Sequence, residues 1–133
     1  MIAKIQFGTR ILLGLIYFVF GGMGLAMSMG LIHMPFPALP QAADGFMKGI
    51  MGTGYFFPFL KITETTCGFF LLAKISAPFA LLVIAPVTLN ILLFHAFLTP
   101  GLSELALPLV MVTAQILAMS AYWKIYKQLF GRK

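Results

Sequence analysis

Lys61 and Glu64 are the residues whose types and spacing most clearly indicate chemistry, because they lie within an otherwise apolar stretch. A charged side chain in hydrocarbon costs roughly 2.5–3.5 kcal/mol on insertion scales, so such a pair indicates a functional site by default. Their spacing of three places both on one helix face, which Gly68 shares. We expect the pair to bind a ligand or handle a proton. The alternative is that Lys61 only neutralises Glu64 and stabilises helix packing.

Three further polar residues, Asn90, His95 and Gln115, interrupt apolar stretches later in the chain. At a helical rise of about 1.5 Å per residue, Asn90 and Gln115 reach a depth similar to that of Lys61 and Glu64, in the outer half of a bilayer, with His95 nearer the outer mouth. Hydrocarbon offers these groups no partners, so we expect them to turn inward and form one pocket. The predicted ligand-binding residues are therefore Lys61, Glu64, Asn90, His95 and Gln115. Glu64 and His95 are the candidates for catalytic proton exchange.

The composition of the chain predicts a membrane around these residues. Of 133 residues, 61% are hydrophobic and only 9% are charged, which is too little charge to cover a soluble domain. The net charge of +6 is compatible with nucleic-acid binding. However, the basic residues lie at the ends of apolar segments, where they set membrane topology instead of forming a groove-binding stripe. We therefore expect a lipid bilayer as the surroundings and no nucleic-acid partner.

Apolar runs divide the chain into four predicted spans, at about residues 8–32, 54–73, 77–98 and 104–124. Each is long enough to cross a hydrocarbon core of about 30 Å as a helix. Prolines at 35, 37 and 40 prevent the first helix from continuing, and residues 41–51 are expected to form a short interfacial helix or lid. The predicted fold is an all-α integral membrane protein, a single domain over residues 1–133. Its four transmembrane helices form an antiparallel bundle.

Basic residues near the span ends predict the orientation of the chain. With both termini cytoplasmic, only Lys48 lies outside, and the basic residues inside are Lys4, Arg10, Lys74, Lys124, Lys127, Arg132 and Lys133. Arg10 is expected to be an inner-leaflet anchor whose long side chain reaches the headgroups. Trp123, with Tyr122 and Tyr126, is expected to form an aromatic anchor at the interface.

Gly21, Gly22 and Gly24 are expected to allow close approach of a neighbouring helix. Cys67 is the only cysteine, so the chain forms no intrachain disulfide and has no CxxC redox motif.

Metal binding has little support in the sequence. His33 and His95 both fall near the outer face, so a haem held by two histidines is conceivable, but no other motif indicates haem. Glu64 with His95 supplies only two ligands, which do not make a metal site. We therefore predict no metal.

The chain resembles the DoxX-like membrane proteins over nearly its whole length. The motifs that carry the resemblance are residues 10–15, Pro35-x-Pro37, residues 53–58 leading to Lys61-x-x-Glu64-x-x-x-Gly68, and residues 85–95 followed by Pro100. The resemblance implies a four-helix protein of the bacterial cytoplasmic (inner) membrane. The family's recurrent polar positions correspond to Arg10, Lys61, Glu64, Asn90 and His95. Some relatives are similar to the small membrane subunits of thiosulfate:quinone oxidoreductase or work beside redox-defence enzymes, and many have no assigned activity.

Three functions follow as expectations. In the first, the pocket binds a lipophilic ligand such as a quinone, which is the candidate cofactor, and the chain is the membrane subunit of a quinone-linked oxidoreductase. Glu64 and His95 would then exchange protons, Lys61 would neutralise a reduced ring, and Asn90 would orient a carbonyl. In the second, the chain is a non-catalytic membrane partner whose apolar faces hold another subunit, and the polar residues only fix the helix register. Such faces are also compatible with an oligomer of this chain. The third is an isomerase-like enzyme acting on a lipid.

Overall fold

The computed structural model describes residues 1–131 of the chain. Its helices in these residues are α1 (Ile2–Ser28), α2 (Gln41–Gly52), α3 (Phe56–Ala73), α4 (Ala77–Leu98), α5 (Leu102–Ser120) and α6 (Trp123–Phe130). Helices α1, α3, α4 and α5 are long and apolar enough to cross a membrane, which indicates a multi-pass membrane protein. The predicted all-α fold, with four spans and a short helix between the first two, is confirmed. Arg132 and Lys133, two of the basic residues assigned above to the cytoplasmic side, lie outside the described residues.

Helices α1 and α3 form the most extensive helix pair in the bundle. The residues that α1 buries at alternating spacings of four and three are Arg10, Gly14, Tyr17, Gly21 and Gly24. The matching positions of α3 are Phe57, Lys61, Glu64, Gly68 and Leu71, of which only Lys61 is not fully buried. A stripe of this period is typical of two helices that pack nearly along each other. Gly14 faces Gly68 whereas Gly24 faces Lys61, so the two helices are antiparallel.

Glycines make the close approach of α1 and α3 possible. A β-carbon at Gly21 would lie 2.7 Å from the backbone nitrogen of Thr65, and one at Gly14 would lie 3.1 Å from the carbonyl oxygen of Gly68. Gly22, by contrast, has no atom within 4 Å of its hypothetical β-carbon. The predicted role in close approach is thus confirmed for Gly21 and Gly24 and is wrong for Gly22, which lies outside the contact between the two helices.

Helices α4 and α5 complete the bundle and contribute to one apolar core. Leu13, Leu71, Leu81 and Ile84 are fully buried there, so α1, α3 and α4 all supply large side chains to the same interior. The turn from α3 to α4 is short, and Lys74 and Ser76 in it adopt left-handed backbone angles, with φ of 57° and 43°. A left-handed residue after the last helical residue ends an α-helix, so this turn fixes where α3 stops.

Helix α2 lies across one end of the bundle, where it contacts α3 and α4. Its Ala43 is fully buried, and its Phe46 ring packs against Phe94 of α4 at 5.5 Å between centroids. On its outer side Asp44 and Lys48 form an exposed ion pair at 2.7 Å. The helix is therefore amphipathic and covers the bundle end with its apolar side.

The fourth span differs from the prediction at its end. The sequence analysis extends it to about residue 124, but α5 ends at Ser120 and α6 begins as a separate helix at Trp123. The hydroxyl of the buried Tyr126 donates to the carbonyl oxygen of Pro78 at 2.8 Å, which holds α6 against the start of α4. Burial, with the nearby Tyr122, raises the pKa of Tyr126 to about 12, so the phenol stays protonated and keeps donating at neutral pH.

Candidate functional site

Lys61 and Glu64 form a largely buried ion pair on α3. Lys61 Nζ lies 2.8 Å from Glu64 Oε2, and their side chains are 18% and 5% exposed. The ammonium also lies 5.5 Å from the centroid of the Phe57 ring, where the negative face of the aromatic ring attracts it. The Lys61 charge is therefore held between a carboxylate and an aromatic face on the same helix.

Gly24 of α1 determines where the Lys61 side chain can lie. A β-carbon at position 24 would come within 2.5 Å of Lys61 Cδ and 2.7 Å of Lys61 Cε. The aliphatic part of the lysine thus runs across the surface that the glycine leaves open. Gly24 of the first span therefore positions the ammonium group of Lys61 in the second span.

The ion pair lines a cavity of about 260 Å³ that receives side chains from α1, α2, α3, α4 and α5. Asn90 and His95 line the same cavity, so four of the five predicted ligand-binding residues come together. Most other lining side chains are apolar, among them Phe20, Phe46, Leu60, Phe94 and Met111. The cavity is therefore apolar with a few convergent polar groups, the usual character of a small-molecule site.

His95 and Asn90 present different groups to this cavity. His95 Nδ1 lies 2.8 Å from the carbonyl oxygen of Ile91. Because a carbonyl oxygen can only accept, Nδ1 carries a proton, and Nε2 is the ring nitrogen left to exchange one. Asn90 is exposed at the edge of the cavity, where it also lines a smaller recess with Phe46 and Phe94. Its amide is thus placed to meet a molecule that enters past α2.

The structure does not bring Gln115 to the cavity. Its side chain is buried in the bundle, where Nε2 donates to the carbonyl oxygen of Leu81 at 2.8 Å. Its Oε1 accepts from the hydroxyl of Thr88 at 3.2 Å. Both ends of the amide therefore bond to α4, and the residue connects α4 with α5. The predicted depth of Gln115 says nothing about the direction in which it points around its helix.

Tyr17 lines the cavity and is the residue that the sequence analysis missed. It is 2% exposed, and its hydroxyl oxygen lies 2.5 Å from Thr88 Oγ1. The one hydroxyl proton of Thr88 is directed to Gln115 Oε1 and to the carbonyl oxygen of Ile84. The Tyr17 hydroxyl is therefore the donor in its own bond to Thr88. The signal that identifies Tyr17 is its place on the four-and-three stripe of α1, between Gly14 and Gly21.

The position of Arg10 contradicts a second prediction. It was expected to reach the lipid headgroups as an anchor, but it is only 5% exposed and its guanidinium donates to the carbonyl oxygen of Leu71. Leu71 lies in the last turn of α3, where backbone carbonyls have no partner within the helix. The cation also suits the negative end of the helix dipole. Arg10 therefore caps α3 and lies outside the cavity.

Within residues 1–131, no group of three or more His, Cys, Asp and Glu side chains lies close enough to hold a metal ion. Cys67 is buried in the core of the bundle. The chemistry available in the cavity is thus that of a carboxylate, an ammonium, an imidazole and an amide. Together these groups can hydrogen-bond a polar head and transfer protons to or from it.

Comparison of the chain with family models, with curated proteins and with solved structures gives no match. The DoxX-like resemblance therefore rests on the sequence motifs alone and stays a prediction.

Proposed function

We propose that this protein binds the polar ring of a lipophilic molecule, a quinone, in the cavity beside Lys61 and Glu64, as a DoxX-like membrane subunit of a redox system. The observation that carries the proposal is an ion pair, 2.8 Å long, that faces an otherwise mostly apolar cavity between membrane-spanning helices. Packing alone does not require two full charges at such a place, and ionisable residues within membrane spans usually mark a functional site.

The size and lining of the cavity favour a ring with a tail. A volume of about 260 Å³ is close to the lower end of small-molecule pockets, which span roughly 300–1,000 Å³. One substituted ring fits such a volume, and an isoprenoid tail does not. Since the cavity lies among helices that face lipid, the tail would remain in the bilayer while the ring lies among Phe46, Leu60 and Phe94.

Each polar residue has a distinct part in this proposal. Reduction of a quinone to a hydroquinone takes two electrons, supplied here by a partner redox subunit, and two protons. Glu64 and His95 would pass the protons, the latter through Nε2. Lys61 would neutralise negative charge on the reduced ring, and Asn90 would orient a ring carbonyl.

The proposal includes a location. The protein would lie in the bacterial cytoplasmic membrane, as the DoxX-like resemblance implies. Both termini would be on the cytoplasmic side, as the distribution of basic residues indicates. The end of the bundle that α2 covers would then face the periplasm.

Photolabelling tests this function directly. A ubiquinone analogue that carries a diazirine on its ring is added to the full chain in lipid nanodiscs, and the labelled peptides are identified by mass spectrometry. We expect labels on α2, α3 and α4 near Phe46, Lys61 and His95, and loss of labelling when unlabelled short-chain ubiquinone is in excess. Glu64→Gln and His95→Ala should reduce labelling, whereas Asp44→Asn, which breaks the exposed ion pair of α2, should not. Labels spread over the lipid-facing surface, without competition, would refute the proposal.

One observation favours a second candidate, a non-catalytic partner that holds another subunit. Lys61 and Glu64 satisfy each other, and Tyr17, Thr88 and Gln115 show that this bundle uses buried polar groups for helix packing. Under this candidate, Glu64→Gln and His95→Ala would leave quinone labelling unchanged and would release a protein that co-purifies with the chain. The photolabelling experiment therefore separates the two.

A further inference from the structure

A second, larger cavity of about 570 Å³ lies where α1 ends and the chain passes through residues 29–40 to α2. Its lining includes the side chains of Met27, His33, Met34 and Met51. None of these four lines the cavity beside Lys61 and Glu64, and only Phe57 contributes to both. The two cavities are therefore separate sites with different chemistry.

The sulfur- and imidazole-bearing residues that line this cavity belong to three separate parts of the chain. Met27 belongs to the last turn of α1, His33 and Met34 to the irregular connection, and Met51 to the last turn of α2. Prolines at 35, 37 and 40 restrict the backbone of the connection and keep it from forming helix. The fold, and not a local run of methionines, thus places these residues in the lining of one cavity.

Core packing does not account for these methionines. Methionine commonly fills irregular gaps in an apolar interior, where it is buried. Here Met34 is 46% exposed and Met51 is 39% exposed, and His33 is exposed as well. All three residues line the cavity, and methionine has enough rotatable bonds to turn its sulfur toward a bound ion.

The geometry points to a binding site for a soft monovalent metal ion, Cu(I) or its analogue Ag(I), formed by Met27, His33, Met34 and Met51. Thioether sulfur is a soft, neutral ligand that selects Cu(I), and imidazole also suits copper. Among the lining residues in the described part of the chain there is no carboxylate and no cysteine. Mg²⁺ and Ca²⁺ need oxygen ligands, and structural Zn²⁺ sites use thiolate or imidazole, so this donor set disfavours all three. Neutral ligands do not compensate the charge of a bound ion, and a single uncompensated charge costs less free energy to bury than a double charge.

Titration with Ag(I) tests the site, because Ag(I) shares the ligand preference of Cu(I) and needs no reductant. The full chain is produced with ¹³C-methyl methionine in a Cys67→Ala background, which removes the competing thiol, and is reconstituted in nanodiscs. Calorimetry measures affinity and stoichiometry, and the methyl spectrum reports which methionines are affected. We expect one Ag(I) per chain and shifts of the Met27, Met34 and Met51 methyl signals.

Leucine variants distinguish this site from scattered sulfur binding, since leucine has nearly the volume of methionine and preserves the fold. Met34→Leu with Met51→Leu should weaken Ag(I) binding by about 10-fold or more, and His33→Ala should weaken it as well. The matched control is Met29→Leu, because Met29 is 65% exposed and close in the chain but does not line the cavity. Its substitution should leave the affinity unchanged.

The proposal is overturned if Ag(I) shifts the Met29 methyl signal as strongly as those of Met34 and Met51, or if the double leucine variant binds as tightly as its parent. It is also overturned if no stoichiometric binding occurs. Each of these results is independent of quinone labelling, so the two proposals stand or fall separately.

Discussion

Gly24 and Lys61 lie so close that a β-carbon at position 24 would approach the lysine Cδ to 2.5 Å. The contact joins the first membrane span to the residue that carries the positive charge of the candidate site. The atoms met are the flexible stem of a long side chain, not backbone. A larger residue at position 24 would therefore displace the Lys61 ammonium group while leaving the helix backbones in place.

Gly24→Ala should impair the site while largely preserving the fold. The added methyl group displaces the Lys61 stem and weakens the Lys61–Glu64 ion pair, so labelling by the quinone analogue should fall several-fold. The thermal unfolding midpoint should change little, because the helix backbones need not separate. Gly22→Ala is the matched control, since position 22 is open. Equal labelling by both variants would show that Gly24 does not position the lysine.

Gly21→Ala, unlike Gly24→Ala, should destabilise the fold. Its methyl group would meet the backbone nitrogen of Thr65 at 2.7 Å, which cannot move without separating α1 from α3. We expect a loss of about 1–3 kcal/mol in the free energy of unfolding, the usual cost of overpacking. Reversible unfolding in mixed micelles of increasing SDS content measures it. Gly22→Ala should be neutral or slightly stabilising there, because alanine favours helix over glycine by up to about 1 kcal/mol.

Arg10→Leu should destabilise the bundle by removing the cap of α3. Hydrogen bonds to charged groups contribute about 1.5–3 kcal/mol, and the carbonyl oxygen of Leu71 would lose its partner in an apolar setting. Arg10→Lys keeps a cation but loses the forked donor geometry, so it should recover only part of the loss. If Arg10→Leu is as stable as the parent in SDS unfolding, the cap contributes nothing.

Thr88→Val and Gln115→Leu should weaken the bundle and leave the site intact. Interhelical hydrogen bonds in membranes contribute about 0.6 kcal/mol on average and up to about 1.7 kcal/mol. Because the two side chains bond to each other, the double variant should lose less than the sum of the single losses. Thr113→Val is the control, since the Thr113 hydroxyl bonds only to the carbonyl of its own helix at an exposed position. Loss of quinone labelling in Gln115→Leu at full stability would instead assign Gln115 to the site.

Lys61→Met should destabilise strongly because it leaves the Glu64 carboxylate buried without its partner. Removing one member of a buried pair costs about 3–5 kcal/mol. Lys61→Met combined with Glu64→Gln removes both charges and should recover most of that loss, yet quinone labelling should remain low. A double variant that regains both stability and labelling would mean that the charges serve neither the fold nor a ligand.

The sequence predicts the helices of this protein well because the hydropathy and charge of each segment follow directly from the order of its residues. Apolar runs place α1, α3, α4 and α5, and the cost of charge in hydrocarbon identifies Lys61 and Glu64 before any contact is known. The end of α5 is missed because residues 121 and 122 are alanine and tyrosine, neither of which interrupts a helix as proline or glycine does.

Direction around a helix is harder to predict than depth. Asn90 and Gln115 have similar predicted depths, yet only Asn90 lines the cavity, because Gln115 turns toward Thr88 and Leu81. Tyr17 is missed because an aromatic residue in an apolar run is usually taken to face lipid. Tyr17 and Arg10 both lie on the four-and-three stripe of α1. This spacing predicts that both face α3, and it can be recognised in the sequence once α1 and α3 are known to pair.

The bond from Arg10 to Leu71 also has a consequence for biosynthesis. Its two members are 61 residues apart in the chain. At roughly 5–20 residues per second, a ribosome needs several seconds after making the arginine before the acceptor exists. During that interval the guanidinium lacks the acceptor that it has in the folded protein. The bond can form only when α3 packs against α1, so it belongs to closure of the hairpin and not to insertion of the first helix.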